Sequence, residues 1–228
     1  KAFSTESGYS TMTEGEGFTK RVYLTKAGKS ISPWHDLKLK PDGKSSDIFT
    51  ACFEIPFNKI AKMEVAKNEK LNPLRQDTKK SRLTGEKQLR YYAQFPLFNY
   101  GMFPQTWENC DVIHKHTGKR GDDDPVDIIE LGSVPLAAGA VANVKILGGL
   151  CLFDQDELDW KVVVLQESEC TKLGIRDHKD YNEAFPYKLD AIREWFRTIK
   201  THDGKAINSY GYDGKVLDAE FMIGLMNE

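Results

Sequence analysis

The order of apolar and polar residues along this chain is typical of β-strands for most of its length. Some segments are continuous apolar runs, as in fully buried strands, and others alternate apolar with polar residues, as in half-buried strands. The predicted strands cover residues 21–25, 48–55, 61–66, 126–131, 142–153 (one or two strands) and 160–165.

Helical periodicity is predicted only late in the chain, where apolar residues recur at a spacing of three to four. One such segment is 189–197, and a second is 216–226, which follows the turn Asp213-Gly214. Since no Pro/Gly/Ser-rich linker interrupts the chain, we expect residues 1–228 to form a single domain. Short strands followed by helices predict a β-barrel or curved sheet with helices packed outside it.

The bulk properties narrow the class of protein. The 228 residues carry a formal net charge of −2, so no overall positive field favours nucleic acid or an anionic membrane as a partner. No apolar run approaches the length of a membrane span. We expect no charged-then-apolar leader at the start, and because the chain begins with Lys1 rather than Met, trimming of the N-terminus stays open.

The four cysteines form no Cys-x-x-Cys pair, and a chain of this length does not need disulfides to fold. Cys52 and Cys151 lie within apolar runs and are predicted to be small buried hydrophobic residues. This usage favours a reducing compartment. We therefore expect a cytoplasmic protein, with an organelle as the alternative.

The segment Gly121-Asp122-Asp123-Asp124-Pro125-Val126-Asp127 places four carboxylates within six positions, at the start of a predicted strand. Like charges this close repel each other, and a folded chain tolerates them when water or cations neutralise them. Mg²⁺ prefers oxygen ligands of this kind. Taken alone, the segment fits a solvated acidic turn as well as it fits a metal site.

A second acidic segment, Asp154 to Asp159, lies between two apolar strands, where a hairpin loop is expected. The hairpin would bring Asp154 and Asp159 to the ends of neighbouring strands. Two acidic clusters at strand ends could enclose two or more Mg²⁺ ions, and metals about 3.5–4 Å apart can lower the pKa of a shared water. Two independent polar turns on one sheet are the alternative.

Basic and hydroxyl side chains add a second kind of chemistry. Lys62 and Glu64 lie two positions apart on a predicted strand and therefore share a face. Each cation taken singly is more often a solvated surface charge. Together with the carboxylates they predict a phosphate pocket, because arginine grips phosphate bidentately and lysine contacts it as a point charge. The residues concerned are Lys62, Arg90, Lys161 and Lys200. Tyr100 fits either a turn in the core or a hydroxyl in the same pocket.

The motif Gly-Asp-x-Asp-Pro-x-Asp at 121–127 resembles the hallmark of the family I soluble inorganic pyrophosphatases. From about Val22 to Asn208 the chain is similar to the longer, eukaryotic-type members. The other matching segments are Ser32-Pro33-Trp34-His35-Asp36, Glu54-Ile55-Pro56, Ala61-Lys62-Met63-Glu64, Leu71-Asn72-Pro73, Gln76-Asp77-Thr78-Lys79-Lys80, Asn99-Tyr100-Gly101, Phe103-Pro104-Gln105-Thr106-Trp107-Glu108, Asp159-Trp160-Lys161 and Glu194-Trp195-Phe196-Arg197.

The resemblance implies a mainly β fold, an OB-like five-stranded β-barrel with flanking α-helices. It also implies Mg²⁺-dependent hydrolysis of pyrophosphate to two phosphates by a water that bridges two metals. In this scheme Asp124 orients and deprotonates the water, and Glu54 belongs to the surrounding water network. The implied metal ligands are Asp122, Asp127, Asp154, Asp159 and Glu64, and the implied phosphate contacts are Lys62, Arg90, Tyr100, Lys161 and Lys200.

Three features depart from the family pattern, one of which is that the tail beyond Asn208 is short and matches poorly. Ile199 stands where the family usually has tyrosine before the lysine, so one phosphate-binding hydroxyl is missing or is supplied from elsewhere. Residues 81–88 form an expanded stretch next to Arg90. The sequence does not decide whether the chain forms a homodimer.

Two other functions stay open at this point. A Ca²⁺- or Mg²⁺-binding module without catalysis would use the acidic segments, but it leaves the four cations Lys62, Arg90, Lys161 and Lys200 unexplained. A metal phosphohydrolase acting on a nucleotide or polyphosphate would need a base-stacking or longer basic surface, which the sequence does not reveal.

Overall fold

The computed structural model describes residues 8–228 of the chain. The expectation about an N-terminal leader falls on residues 1–7, outside this range. The strands are β1 (Tyr9–Glu14), β2 (Arg21–Lys26), β3 (Lys29–Ile31), β4 (Ile48–Ile55), β5 (Met63–Val65), β6 (Leu74–Gln76), β7 (Thr78–Lys80), β8 (Lys87–Leu89), β9 (Asn99–Met102), β10 (Asp127–Glu130), β11 (Val141–Asp154), β12 (Glu157–Gln166), β13 (Ser209–Tyr210) and β14 (Leu217–Asp218). The α-helices are α1 (Glu167–Leu173), α2 (His178–Ala184), α3 (Lys188–Thr198) and α4 (Ala219–Leu225).

Five strands close into a ring at the centre of the fold. Their hydrogen-bonded order is β12, β10, β9, β4 and β11, and β11 pairs back onto β12. Strands β10 and β12 run parallel, whereas the other neighbours in the ring are antiparallel. The α-helices pack around this ring, so the predicted mainly β, OB-like five-stranded barrel with flanking helices is confirmed.

Alternation along the strands separates the interior of the ring from its outer face. Ile128 and Val162 belong to a buried cluster with side chains from β4, β10, β11 and β12, joined by Phe103 directly after β9. Asp127 and Lys161, one position earlier, lie opposite each other in the parallel register. Their side chains therefore point to the outer face of the ring.

Two further buried clusters cover this outer face. One joins the ring to α1, α2 and α3 and includes Trp195 and Phe196. The other joins the ring to a second sheet of β1, β2, β6 and β5, with β3 beside β2, and includes Leu24 and Leu74. Tyr100 packs against both clusters, so the outer-face polar residues near it lie at the border between them.

Most predicted elements are confirmed, with shifted ends. Strand β4 has the predicted bounds, and residues 142–153 belong to one long strand, β11, with a bulge between Ile146 and Gly148. The strand predicted at 61–66 is shorter. The helix predicted from 216 begins later, because Leu217 and Asp218 first pair with β11 and the Asp218 carboxylate then caps α4. Helices α1 and α2 were not predicted.

The described helices are short. The longest of them, α3, has 11 residues, and no helix in residues 8–228 combines the length and hydropathy of a membrane span.

Candidate active site

Gly121 is the point at which the two acidic parts of the chain meet. Its N–H donates to the carbonyl of Asn109 at 3.1 Å, and it forms a parallel bridge with Leu158 of β12. A Cβ on Gly121 would lie 2.3 Å from the backbone carbonyl of Glu108, so only glycine allows this approach. The glycine that opens the aspartate motif thus brings Glu108 and β12 beside the residues that follow it.

Three carboxylates converge beside Gly121. One oxygen each from Glu108, Asp122 and Asp159 lies within 4.8 Å of the other two. Glu108 Oε1 accepts a hydrogen bond from the Trp160 N–H at 2.7 Å, whereas its Oε2 is buried and has no partner within residues 8–228. A buried, unpartnered carboxylate oxygen beside two other carboxylates fits a divalent cation with oxygen ligands. We call Glu108, Asp122 and Asp159 the carboxylate cluster.

The pKa values of the carboxylate cluster reflect its burial. Loss of hydration and then the charge of Asp127 raise the pKa of Asp122 to about 6. Burial raises the pKa of Glu108 and of Asp159 well above its usual range. The charges of Asp159 and Asp122 add to this effect at Glu108, and those of Asp127 and Asp122 add to it at Asp159. A cation bound here would therefore displace protons.

Lys161 connects the carboxylate cluster to the neighbouring strands. Its side chain is almost fully buried, and its Nζ contacts the carboxylates of Asp127 and Asp159. The Tyr100 hydroxyl lies 3.0 Å from the same Nζ and is hydrogen-bonded to Asp127. Burial alone would lower the pKa of Lys161, but the two aspartates outweigh it and raise the pKa, so the ammonium stays charged.

A cleft of about 270 Å³ opens on the outer face of the ring beside these residues. Lys62 Nζ lies 2.8 Å from Glu64 and 3.3 Å from Asp77, and both carboxylates help to keep its pKa raised against the effect of burial. Glu54 is buried and accepts a hydrogen bond from the Val65 N–H at 2.9 Å. The predicted site residues that line this cleft are Glu54, Lys62, Glu64, Tyr100, Asp124 and Asp127.

Asp124 has a half-exposed side chain at this cleft. Lys67 Nζ lies 2.8 Å from its carboxylate and also donates to the backbone carbonyl of Asp123 at 2.8 Å. The Asp124 N–H donates to the Asp122 carboxylate at 3.0 Å. The turn therefore points Asp122 towards the buried carboxylate cluster and leaves Asp124 accessible to water.

The remaining predicted residues join the site less directly. Arg90 lies 3.0 Å from Asp77, which also pairs with Lys62, so Asp77 connects Arg90 to the cleft. Lys200 forms an ion pair with Asp154. The strand pairing sets Asp154 two positions beyond Leu152, which lies opposite Asp159. Asp154 and Asp159 therefore share one face of the hairpin, and the second Asp154 oxygen is buried without a partner in the described residues.

Sequence reasoning missed four residues of this site: Lys67, Asp77, Tyr92 and Glu108. Asp77 and Glu108 stand in segments that match the family, which was the only signal available. Asp77 has no acidic residue close by in the sequence and Glu108 has only Asp111, so charge clustering could not identify either of them. Lys67 and Tyr92 carry no sequence signal that separates them from surface residues.

Comparison with known proteins identifies the family of this chain. The family model described as inorganic pyrophosphatase matches residues 51–227. An inorganic pyrophosphatase of Zygosaccharomyces bailii is 38% identical over 213 residues, which cover 91% of this chain and 72% of that protein.

Two solved structures share the fold over nearly the whole chain. The type I inorganic pyrophosphatase of Toxoplasma gondii is 35% identical with a TM-score of 0.87, over 96% of this chain and 95% of that one. An N-terminally truncated vacuolar soluble pyrophosphatase of Trypanosoma cruzi, solved in complex with PPi, is 34% identical with a TM-score of 0.85, over 96% and 87% of the two chains. With a matching family model and relatives this similar over most of their length, the chain belongs to the inorganic pyrophosphatase family.

Proposed function

We propose that this chain hydrolyses inorganic pyrophosphate to two phosphates with Mg²⁺ as its cofactor, and that residues 1–228 act as one pyrophosphatase-like domain. The observation that carries the proposal is the contact between the carboxylate cluster and the buried ammonium of Lys161, within a member of the inorganic pyrophosphatase family. A relative of known structure was solved with PPi. Carboxylates and cations side by side suit a substrate that arrives as an anion with metal ions.

The chemistry of the donor set favours Mg²⁺. The side chains that could hold it all present carboxylate oxygens, which is the ligand type of a hard cation. When bound, Mg²⁺ would neutralise charge on the phosphates and lower the pKa of a coordinated water. The proposed ligands are Glu64, Asp122, Asp127, Asp154 and Asp159, with Glu108 added on the basis of its place in the carboxylate cluster.

The cations of the site would bind the phosphate oxygens. An ammonium has three N–H donors, so Lys161 can keep a bond to one aspartate while it donates to a phosphate oxygen. Lys62, held between Glu64 and Asp77, is in the same situation. The proposed phosphate contacts are Lys62, Arg90, Tyr100, Lys161 and Lys200.

Asp124 is our proposed general base, with its half-exposed carboxylate at the cleft and a contact to Lys67. It would accept the proton of the attacking water. The buried Glu54 lines the same cleft, and burial raises its pKa well above the usual range, so it can hold a proton within the water network.

Phosphate release tests the reaction. We expect release from pyrophosphate in the presence of Mg²⁺ and much less from ATP and tripolyphosphate under the same conditions. Absence of release from pyrophosphate would reject the proposal, and faster release from ATP or tripolyphosphate would favour a different phosphohydrolase.

Asp124→Asn tests the base. General bases contribute about 10²- to 10⁴-fold to a rate, so kcat should fall within this range while the midpoint of thermal unfolding stays near the wild-type value. Asp123→Asn is the matched control, because its side chain is also exposed and contacts the same lysine. Near-normal turnover of Asp124→Asn, or equal losses in both variants, would refute the assignment.

A further inference from the structure

A second tyrosine, Tyr92, stands in the cleft, and strand pairing places it there. Ala61 and Tyr91 form an antiparallel bridge, the Lys62 N–H donates to the Arg90 carbonyl at 3.2 Å, and the Tyr92 N–H donates to the Ile60 carbonyl at 2.8 Å. Because side chains alternate along this paired segment, Arg90 and Tyr92 lie on the same side as Lys62. Tyr91 points the other way and is exposed.

The ring of Tyr92 is held in place by packing. It meets Trp195 of α3 edge to face, with 5.0 Å between ring centroids. It also packs against both buried clusters on the outer face of the ring of strands, as Tyr100 does. A side chain fixed on two sides loses little freedom when its free end binds a ligand.

The hydroxyl of Tyr92 is the free end. Tyr92 lines the cleft together with Lys62 and Tyr100, and its hydroxyl has no hydrogen-bond partner among residues 8–228. Besides burial, the charges of Lys62, Lys161, Asp127 and Arg90 act on the pKa of this hydroxyl. A donor without a protein partner among charged groups needs water or a ligand to bind to.

We propose that the Tyr92 hydroxyl donates a hydrogen bond to a phosphate oxygen of the substrate, next to the Lys62 ammonium. The inference rests on the proposed function and extends it by one substrate-binding residue. It also answers which side chain supplies the hydroxyl missing at position 199. Ile199 is buried in the cluster with α1, α2 and α3 and has no polar group to offer.

The acidity of the phenol is consistent with a donor role. Burial raises the pKa of Tyr92 to about 12, although the charge of Lys62 acts in the opposite direction. The group therefore keeps its proton through the neutral range and can donate to an anion. A hydroxyl without charge adds specificity without adding to the electrostatic attraction already supplied by the lysines.

Tyr92→Phe tests the proposal, because phenylalanine keeps the ring that packs on Trp195 and removes only the hydroxyl. Methylenediphosphonate is an analogue of pyrophosphate. Its binding with Mg²⁺, measured by isothermal titration calorimetry at 25 °C, reports substrate affinity without turnover. A hydrogen bond to a charged oxygen predicts an affinity loss of roughly tenfold to a hundredfold. Pyrophosphate kinetics should show kcat/KM falling by a similar factor, mostly through KM.

Tyr91→Phe is the matched control, since it removes an adjacent phenol that points away from the cleft. We expect this variant to bind methylenediphosphonate like the wild type. An affinity loss below about threefold in Tyr92→Phe, or an equal loss in both variants, would overturn the proposal.

The outcomes also separate this inference from the proposed function. If the wild type neither hydrolyses pyrophosphate nor binds the analogue, the proposed function and the proposed role of Tyr92 are both wrong. If the wild type does both and Tyr92→Phe matches it in affinity and in kcat/KM, only the role of Tyr92 is wrong.

Discussion

Glu108→Gln should change the stability of the metal-free protein and its metal affinity in opposite directions. Glutamine has nearly the shape of glutamate, so its carbonyl oxygen can keep the 2.7 Å hydrogen bond from the Trp160 N–H. The unpartnered oxygen becomes an amide NH₂, which can donate to the carboxylates of Asp122 and Asp159 but cannot coordinate a cation. The substitution therefore removes one charge and one ligand and leaves the backbone contact intact.

The distances give the size of the effect. At 4.8 Å and an effective dielectric constant of about 20, two unit charges repel each other by about 3.5 kcal/mol. Because burial already raises the pKa of Glu108, the metal-free carboxyl carries a proton for part of the time, and the gain in unfolding free energy lies below this value. With metal present, loss of one ligand should weaken Mg²⁺ binding at least tenfold, or about 1.4 kcal/mol.

Urea unfolding in EDTA and calorimetric titration with Mg²⁺ measure the two quantities separately. We expect the unfolding free energy of Glu108→Gln in EDTA to equal or exceed that of the wild type and its Mg²⁺ affinity to be lower. Glu183→Gln, on the exposed side of α2, should change neither quantity. A variant that is destabilised in EDTA and binds Mg²⁺ as the wild type does would refute the role of Glu108 in the carboxylate cluster.

Three further predictions follow from the same region. Mg²⁺ binding should release protons at neutral pH, which would make the calorimetric enthalpy depend on the buffer; buffer-independent enthalpies would contradict this. The Mg²⁺ affinity should fall as the pH drops through about 6, the raised pKa of Asp122, because the folded protein then binds protons in place of metal. Lys161→Met should lower the unfolding free energy in EDTA by about 3–5 kcal/mol, since it leaves the buried Asp159 and the partly buried Asp127 without their cation. Saturating Mg²⁺ should restore part of the loss in urea titrations. Gly121→Ala should lower both stability and Mg²⁺ affinity because its Cβ would overlap the backbone carbonyl of Glu108. Gly224→Ala, in helix α4 with open space around it, should instead raise the unfolding free energy by about 0.5–1 kcal/mol. Wild-type Mg²⁺ affinity in Gly121→Ala would argue against the close approach of Gly121 to Glu108 as the basis of the carboxylate cluster.

Helix α3 and six of the strands could be predicted, because their local periodicity shows which residues are buried. These strands are β2, β4, β5, β10, β11 and β12. All eight residues of β4 are buried, and the sequence shows them as a mainly apolar segment that contains Thr50 and Glu54 and is closed by Pro56. Helices α1 and α2 each bury a single residue, Cys170 and Tyr181, so neither has an apolar stripe. The Asp177 side chain, which caps α2 through the N–H groups of Lys179 and Asp180, was a local sign of that helix.

The site residues could be predicted where they are clustered along the sequence. Asp122, Asp127 and Asp159 could be expected together because each belongs to an acidic segment next to an apolar strand. Glu108 could not, because its position depends on how closely the chain passes Gly121, which is a property of the folded backbone. For the same reason the sequence could not show that Lys161 would be buried between two carboxylates.

The alternation of Asp127 with Ile128 on β10 has a consequence for folding. If β10 slipped by one residue against β12, every side chain of β10 would change faces, and the Asp127 carboxylate would enter the apolar interior while Ile128 took its place outside. An unpaired charge in such surroundings is strongly unfavourable, so the misregistered form would be rejected during folding. Asp127 thus disfavours slippage of β10 against β12. A molecule that folds with the correct register already has this carboxylate on the outer face of the ring, where the cleft lies.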